Sequence, residues 1–415
     1  GARIVDLGAA PLVGQSFADG WDWRFGWGLV GAGAVAVLVA GAVATRWWWT
    51  TSVRVVIAAT SITAAAFSVL LALTDGRDGL LRGADHETEY LANLEIAPPA
   101  SEFLRTFVDD IQRYSVHVRG HPPGFVLVLK LLDAIGLGGA WPVVGLSIAG
   151  TLLLPVAVLP AVRALAGDDV VRRVAPMLVV APYALWMMTS ADAVYSATAA
   201  SAVTACLLGL QRAGRSAIAW GSFAGLLLGA LLFMTYGGAT FALALLVPVA
   251  VALRRRMPGA IPTLVGGFVA TGAVTAVFAG LGFWWLDGAQ ETRRQYWAGT
   301  AQFRPFGYFA IANLAVALIA IGPVAYAGLL RLWRQRRAAP AFWTVTAGAL
   351  LALLASHASQ YSRAEVERIW LLFFPWLVIA GGMHIARDRP RIAAAVILLQ
   401  AACAIALQAA LVSKW

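Results

Sequence analysis

The chain has 415 residues, 60% of them hydrophobic and 13% charged, with a mean hydropathy of +0.76. A soluble domain carries about 25% charged residues, so this composition excludes an ordinary water-soluble globule and points to a protein held in lipid. The net charge of +10 does not imply a nucleic-acid partner, because its carriers are dispersed between apolar runs instead of forming a basic stripe with interleaved aromatics.

The N-terminal stretch, 1–24, lacks the charged and apolar regions of a signal peptide. It opens on Gly1 without a methionine, so a trimmed or incomplete N-terminus is expected. From there apolar runs recur to the end of the chain, each close to the roughly 20 helical residues that cross a hydrocarbon core. They fall at 26–45, 53–73, 140–163, 174–190, 194–211, 217–235, 237–253, 262–284, 308–330, 341–357, 368–384 and 391–412. The expectation is an all-α polytopic bundle of about twelve helices, forming one membrane domain over 1–415, with further short helices at the membrane surface. Pro123 to Leu137 is too short and amphipathic for a crossing and reads as an interfacial or re-entrant helix. Cys206 and Cys403 lie inside expected spans with no CxxC partner, as inert core thiols do.

Basic residues resist translocation, so the loops that hold them mark the cytoplasmic side. Arg46 and Arg54, Arg172 and Arg173, Arg212 and Arg215, Arg254 to Arg256, Arg331 to Arg337, and Arg387 to Arg391 all fall on one side. The loops 74–124, 285–307 and 356–367, with both termini, are then expected on the opposite, extracytoplasmic side.

The loop 74–124 holds nine of the 21 acidic residues and three of the five histidines. Within it runs Asp85-His86-Glu87-Thr88-Glu89-Tyr90. On a helical extension of the second span, Asp85 and Glu89 would share a face one turn apart. Such carboxylates can take a proton from a hydroxyl or bind a cation, although solvated loop charge would look the same. Further on, Phe103, Phe107, Ile111 and Tyr114 recur at helical spacing opposite Glu102, Arg105, Asp109 and Asp110. This predicts a surface helix over 101–118, capped by Ser101. Arg119-Gly120-His121-Pro122-Pro123-Gly124 follows, where two prolines fix an extended entry to a helix whose N-terminus suits an anion.

The loop 285–307 carries Arg293, Arg294 and Arg304 against the positive-inside trend, so these arginines need anionic partners, either loop carboxylates or a lipid-linked phosphate. The loop 356–367 adds His357, Tyr361, Arg363, Glu365 and Glu367. Arg368 opens an apolar run, where a charge is costly unless paired; Glu365 is a candidate partner along the helix. Asp192 sits at the same edge as a turn or cap residue, or as a contributor to a shared cavity.

Asp85 to Tyr90, the surface helix and His121-Pro122-Pro123-Gly124, in that order, resemble the GT-C superfamily of polytopic glycosyltransferases, which includes protein mannosyltransferases and aminoarabinose transferases. The segments Gly120 to Gly124 and Glu367 to Trp370 are also similar to actinobacterial membrane proteins with GHPPG-like and ERIW-like stretches. The chain departs from the family in lacking an uninterrupted Asp-Glu pair and in adding an N-terminal span. The resemblance implies an inverting transfer of a sugar, mannose or arabinose, from a polyprenyl phosphate donor to a glycan or glycolipid acceptor of the cell envelope, outside the plasma membrane. It implies a carboxylate base, Glu89 with Glu87 and Asp85 as rivals. It also implies phosphate binding by Arg304, Arg368 and Arg363, assisted by His121, Arg119 and Tyr90. The donor is itself the substrate; no further cofactor is required, and a divalent metal would need carboxylates from the same loop. The partners implied are membrane lipids, the lipid-linked donor and the acceptor, and no nucleic acid. A secondary transporter or lipid flippase shares this composition but would show repeats and broken midplane helices. A membrane acyltransferase would pair a carboxylate with His86 or His117.

Overall fold

A computed structural model describes residues 23–411. The opening stretch and the last residues lie outside that range, and with them the expected placement of both termini. The described residues form an all-helical, multi-pass bundle. Nine helices are long and apolar enough to cross a membrane, rising to eleven if each of two bent pairs counts as one crossing.

One of the nine contains two of the expected spans. The expected spans 140–163 and 174–190 are two arms of one 41-residue helix, Ala140–Val180, which kinks where Gly167 adopts φ 82° and ψ 177°. Only glycine takes that conformation without strain. The second arm starts beside Thr51, whose carbonyl accepts from Arg172, and leads to Ser190, whose carbonyl accepts from Ser147. It thus runs from the arginine-rich end of the bundle to the opposite end.

The spans expected at 308–330 and 368–384 are not straight. Phe306–Ile321 and Pro323–Arg334 meet at 100°, and Val366–Leu372 and Phe374–His384 meet at 76°. At the first break Gly322 has φ 80°, and the backbone groups it frees are taken up by one side chain. Gln400 donates to the Ile321 carbonyl at 2.5 Å and accepts from the Val324 amide at 3.0 Å, and it is fully buried. Broken backbone inside a bilayer survives only where protein satisfies it. Elsewhere small residues let helix backbones touch: a methyl group added at Gly225 would lie 2.2 Å from the Gly267 carbonyl oxygen, which locks Gly214–Met234 against Ala260–Gly280.

The loop 74–124 folds differently from the expectation. Helix Gly76–Asp85 stops at Asp85 because His86 turns extended, and the His86 ring takes up the Thr88 amide and hydroxyl. Asp85 and Glu89 therefore do not share a helical face. The surface helix is also shorter than 101–118. It covers Ala100–Thr106 and gives way to turns, with short helical pieces at Ile111–Arg113 and Val116–Arg119. Ser101 makes no cap; Pro99 stands at that position. The apolar pattern was real, since Phe103, Phe107, Ile111 and Tyr114 are all buried. A further break comes at Tyr114, whose ψ of 162° is extended. There the Asn93 side chain captures Ser115 at both its amide and its hydroxyl, each at 2.7 Å.

Replacing Gln400 by leucine removes the only side-chain partner of the Gly322 break among the described residues. Each orphaned group should cost about 1–3 kcal/mol, so Gln400→Leu is expected to unfold at clearly lower temperature in detergent. Wild-type stability would show that the break finds other partners.

Candidate functional site

The polar residues collect at the end of the bundle opposite its arginine-rich loops. Of the three rival carboxylates, Asp85 and Glu87 are exposed, whereas Glu89 is 1% exposed and lies inside the protein. It gets there because the turn at His86 aims residues 88–90 inward, and the Glu89 carbonyl accepts from both Asn93 and Ser115.

A buried carboxylate is tolerated only with partners. Glu89 Oε1 accepts from Arg368 Nη1 at 2.9 Å and lies 2.8 Å from His117 Nδ1. Arg368, itself 7% exposed, also donates through Nε to Asp192 Oδ2 at 2.8 Å. One guanidinium is thus clamped by two carboxylates, one from a turn and one from the start of a helix, and Thr189 reaches the same Asp192 oxygen at 3.2 Å. Burial alone would raise the Glu89 carboxyl, but Arg368 and then His117 outweigh it and hold Glu89 well below the usual carboxylate range. The second oxygen, Oε2, is buried and has no hydrogen-bond partner among the described residues.

Aromatic rings pack around this charge. Tyr195 donates to the Tyr90 hydroxyl at 3.1 Å, and both are buried. Tyr90 lies stacked with His117 at 6.3 Å and edge-on to His121 and Phe125 at 5.6 and 4.9 Å. Burial raises the Tyr90 phenol well above its ordinary range, so it stays neutral. His121 is pushed down to about 4 by burial and then by neighbouring His117. Its Nδ1 therefore bears a hydrogen and donates to the His117 carbonyl at 2.8 Å.

A second cluster forms the rim. Arg304 donates to the Arg363 carbonyl, and Arg363 donates back to the Arg304 carbonyl at 2.6 Å. The Arg363 amide donates to the Tyr296 hydroxyl at 2.9 Å, while its guanidinium lies 4.7 Å from the Trp297 ring. Glu365 lies 3.9 Å from Arg304, so it faces across the rim and not along its helix to Arg368. Gln360, Ala364 and Glu365 all have positive φ, an uncommon cost for residues with side chains. Asn313 holds this turn by donating to the Ser362 carbonyl at 2.5 Å and accepting from the Ala364 amide at 3.4 Å. Arg119 is half-buried, and its carbonyl accepts from Thr292.

The structure therefore brings Glu89, Tyr90, His121 and Arg368 together, sets Arg304 and Arg363 as a separate pair, and leaves Asp85 and Glu87 outside. Two central residues carried little sequence signal. Asp192 read as a turn or cap residue or as a contributor to a shared cavity, and His117 was one of several loop histidines. An intramembrane arginine that demands two partners was the available clue to Asp192. Among the described residues no cluster of three or more His, Cys, Asp or Glu could hold a metal ion. No protein-family model and no curated protein matches this chain.

Removing the guanidinium strands two buried anions. Arg368→Met is expected to cost about 3–5 kcal/mol, and adding Asp192→Asn should recover part of it in a double-mutant cycle followed by thermal unfolding. Additive losses would show that the two residues do not interact. A pH dependence follows from His121, whose folded-state value lies below its unfolded one. Its contribution to stability is present above about pH 6.5 and is lost as pH falls toward about 4, where the unfolded chain binds the extra proton. His121→Asn should flatten that part of the profile; an unchanged slope would count against a neutral His121.

Proposed function

We propose that this protein is a GT-C-like glycosyltransferase. It moves a sugar from a polyprenyl phosphate donor to a hydroxyl of a cell-envelope acceptor, on the extracytoplasmic face of the plasma membrane. The observation that carries this reading is the buried Glu89 anion, held by Arg368 and His117 in the very loop where the resemblance asks for an essential carboxylate. The Arg304 and Arg363 pair beside interfacial aromatics adds a site of the right chemistry for a lipid-linked phosphate.

In the proposed reaction the acceptor oxygen forms a bond to the anomeric carbon from one face. The bond from that carbon to the donor phosphate breaks on the other, and its electron pair leaves with the phosphate. Configuration inverts. The hydroxyl proton passes to the cluster centred on Glu89, and Arg304 with Arg363 and Arg119 offsets the negative charge developing on the departing phosphate. Arg368 has a different part, because both carboxylates already engage it: it keeps Glu89 ionised and fixed. Mannose and arabinose remain the proposed sugars.

A second reading has one observation in its favour. The contact from His117 Nδ1 to Glu89 Oε1 is the pairing an acyltransferase would use to activate a hydroxyl. Substrate choice separates the two. Purified protein should transfer sugar from polyprenyl-phosphoryl mannose or arabinose to a glycan acceptor. Glu89→Gln is expected to lower kcat by about 10²–10⁴-fold, while Asp85→Asn and Glu87→Gln stay near wild type. Sugar transfer that survives Glu89→Gln would overturn the assignment, and acyl transfer in place of sugar transfer would favour the second reading.

A further inference from the structure

Glu89 is a poor candidate for the atom that first receives the proton. It is sealed at 1% exposure, two cationic or hydrogen-bonding groups converge on its Oε1, and its affinity for a proton is depressed. Its neighbour is different. His117 keeps 13% of its side chain exposed, although its Nδ1 is buried against Glu89. The part of the ring that meets the surface is therefore not the nitrogen committed to the carboxylate.

The backbone holds this ring from both sides. The His117 amide donates to the Thr88 carbonyl at 3.2 Å, one residue before Glu89, and its carbonyl accepts from His121 Nδ1 at 2.8 Å. Tyr90 stacks along the ring at 6.3 Å and His121 sits edge-on at 6.5 Å. Nδ1 lies 2.8 Å from the carboxylate without the alignment of a hydrogen bond; a ring turned to donate there carries its hydrogen on Nδ1, which leaves Nε2 as the basic nitrogen, and ionised Glu89 then stabilises the imidazolium that forms when Nε2 takes a proton.

We propose that Glu89 and His117 act as a dyad in which His117 Nε2 is the general base and Glu89 the residue that orients and charges it. The acceptor hydroxyl gives its proton to Nε2 as its oxygen bonds to the electrophilic carbon and the donor's leaving group departs with the electron pair. The resulting imidazolium sits against ionised Glu89. This rests on the reading that the site activates a hydroxyl, and it holds for either transferred group. It also gives Arg368 and Asp192 a defined part: Arg368 keeps Glu89 from taking the proton itself, and Asp192 keeps Arg368 in place.

His117→Asn is the informative variant, because its amide can keep the contact made by Nδ1 while nothing replaces Nε2. It should fold like wild type and lose about 10²–10⁴-fold in kcat with KM little changed. His117→Gly should regain part of the rate with added imidazole. Wild-type kcat in His117→Asn, with Glu89→Gln impaired, would overturn the dyad and leave the proposed function standing. If both variants transferred normally, the site itself would be misassigned. Independently of any substrate, 15N spectra of histidine-labelled protein should show neutral His117 with its hydrogen on Nδ1, and the opposite tautomer would also overturn the dyad.

Discussion

One arginine placed where water is scarce organises this end of the molecule. Arg368 begins an apolar stretch, and a guanidinium there is unstable unless anions follow it in. The chain supplies two, Glu89 from the loop after the second long helix and Asp192 from the start of Asp192–Leu210, at 2.9 and 2.8 Å. Their sequence separations, 279 and 176 residues, make this a long-range tie across the fold. Two carboxylates on one cation leave an excess negative charge, and the His117 ring is set against it. Such clusters are weak devices for stability, since their desolvation cost offsets much of the attraction. Their value lies in fixing an ionised group where solvent would otherwise blur its position.

The surrounding structure is consistent with that role. The turn at His86 and the Asn93 clamp on Ser115 set Glu89 and His117 face to face. The turn that carries Arg368 inward is held at uncommon backbone angles by Asn313, Tyr296 and the mutual tie of Arg304 and Arg363. These restraints are hydrogen bonds to backbone groups together with ring packing.

How much of this was legible follows from the range of each interaction. Hydrophobic run length is a local quantity, so the membrane helices could be read directly, and the positions of the arginine-bearing loops separated the two ends. Breaks were less accessible. Gly322 signals a turn only when Gln400, 78 residues away, is known to satisfy it, and Gly167 joins two expected spans because a single residue absorbs the change of direction. The resemblance put Glu89 ahead of Glu87 and Asp85, but which of the three is buried depends on where the chain turns at His86. Periodicity over 101–118 found the buried face correctly but neither the helix end at Thr106 nor the break before Ser115, which is held by Asn93 from outside that window.

The two bent spans bear on what kind of protein this is. Broken helices are a feature of transporters, where half-helix ends face the substrate near the midplane. Here the freed backbone at Gly322 is closed off by fully buried Gln400, so its polar groups are consumed within the bundle. The second bend follows directly on Arg368 and displaces the chain just beyond the charge cluster. The first bend thus offers no polar face to a passing solute, and the second belongs to the construction of one end. A conduit needs polar groups along its length, whereas this molecule gathers its buried acidic and histidine partners at a single level. That asymmetry favours chemistry on a substrate held at the membrane surface over passage of a substrate through the bundle.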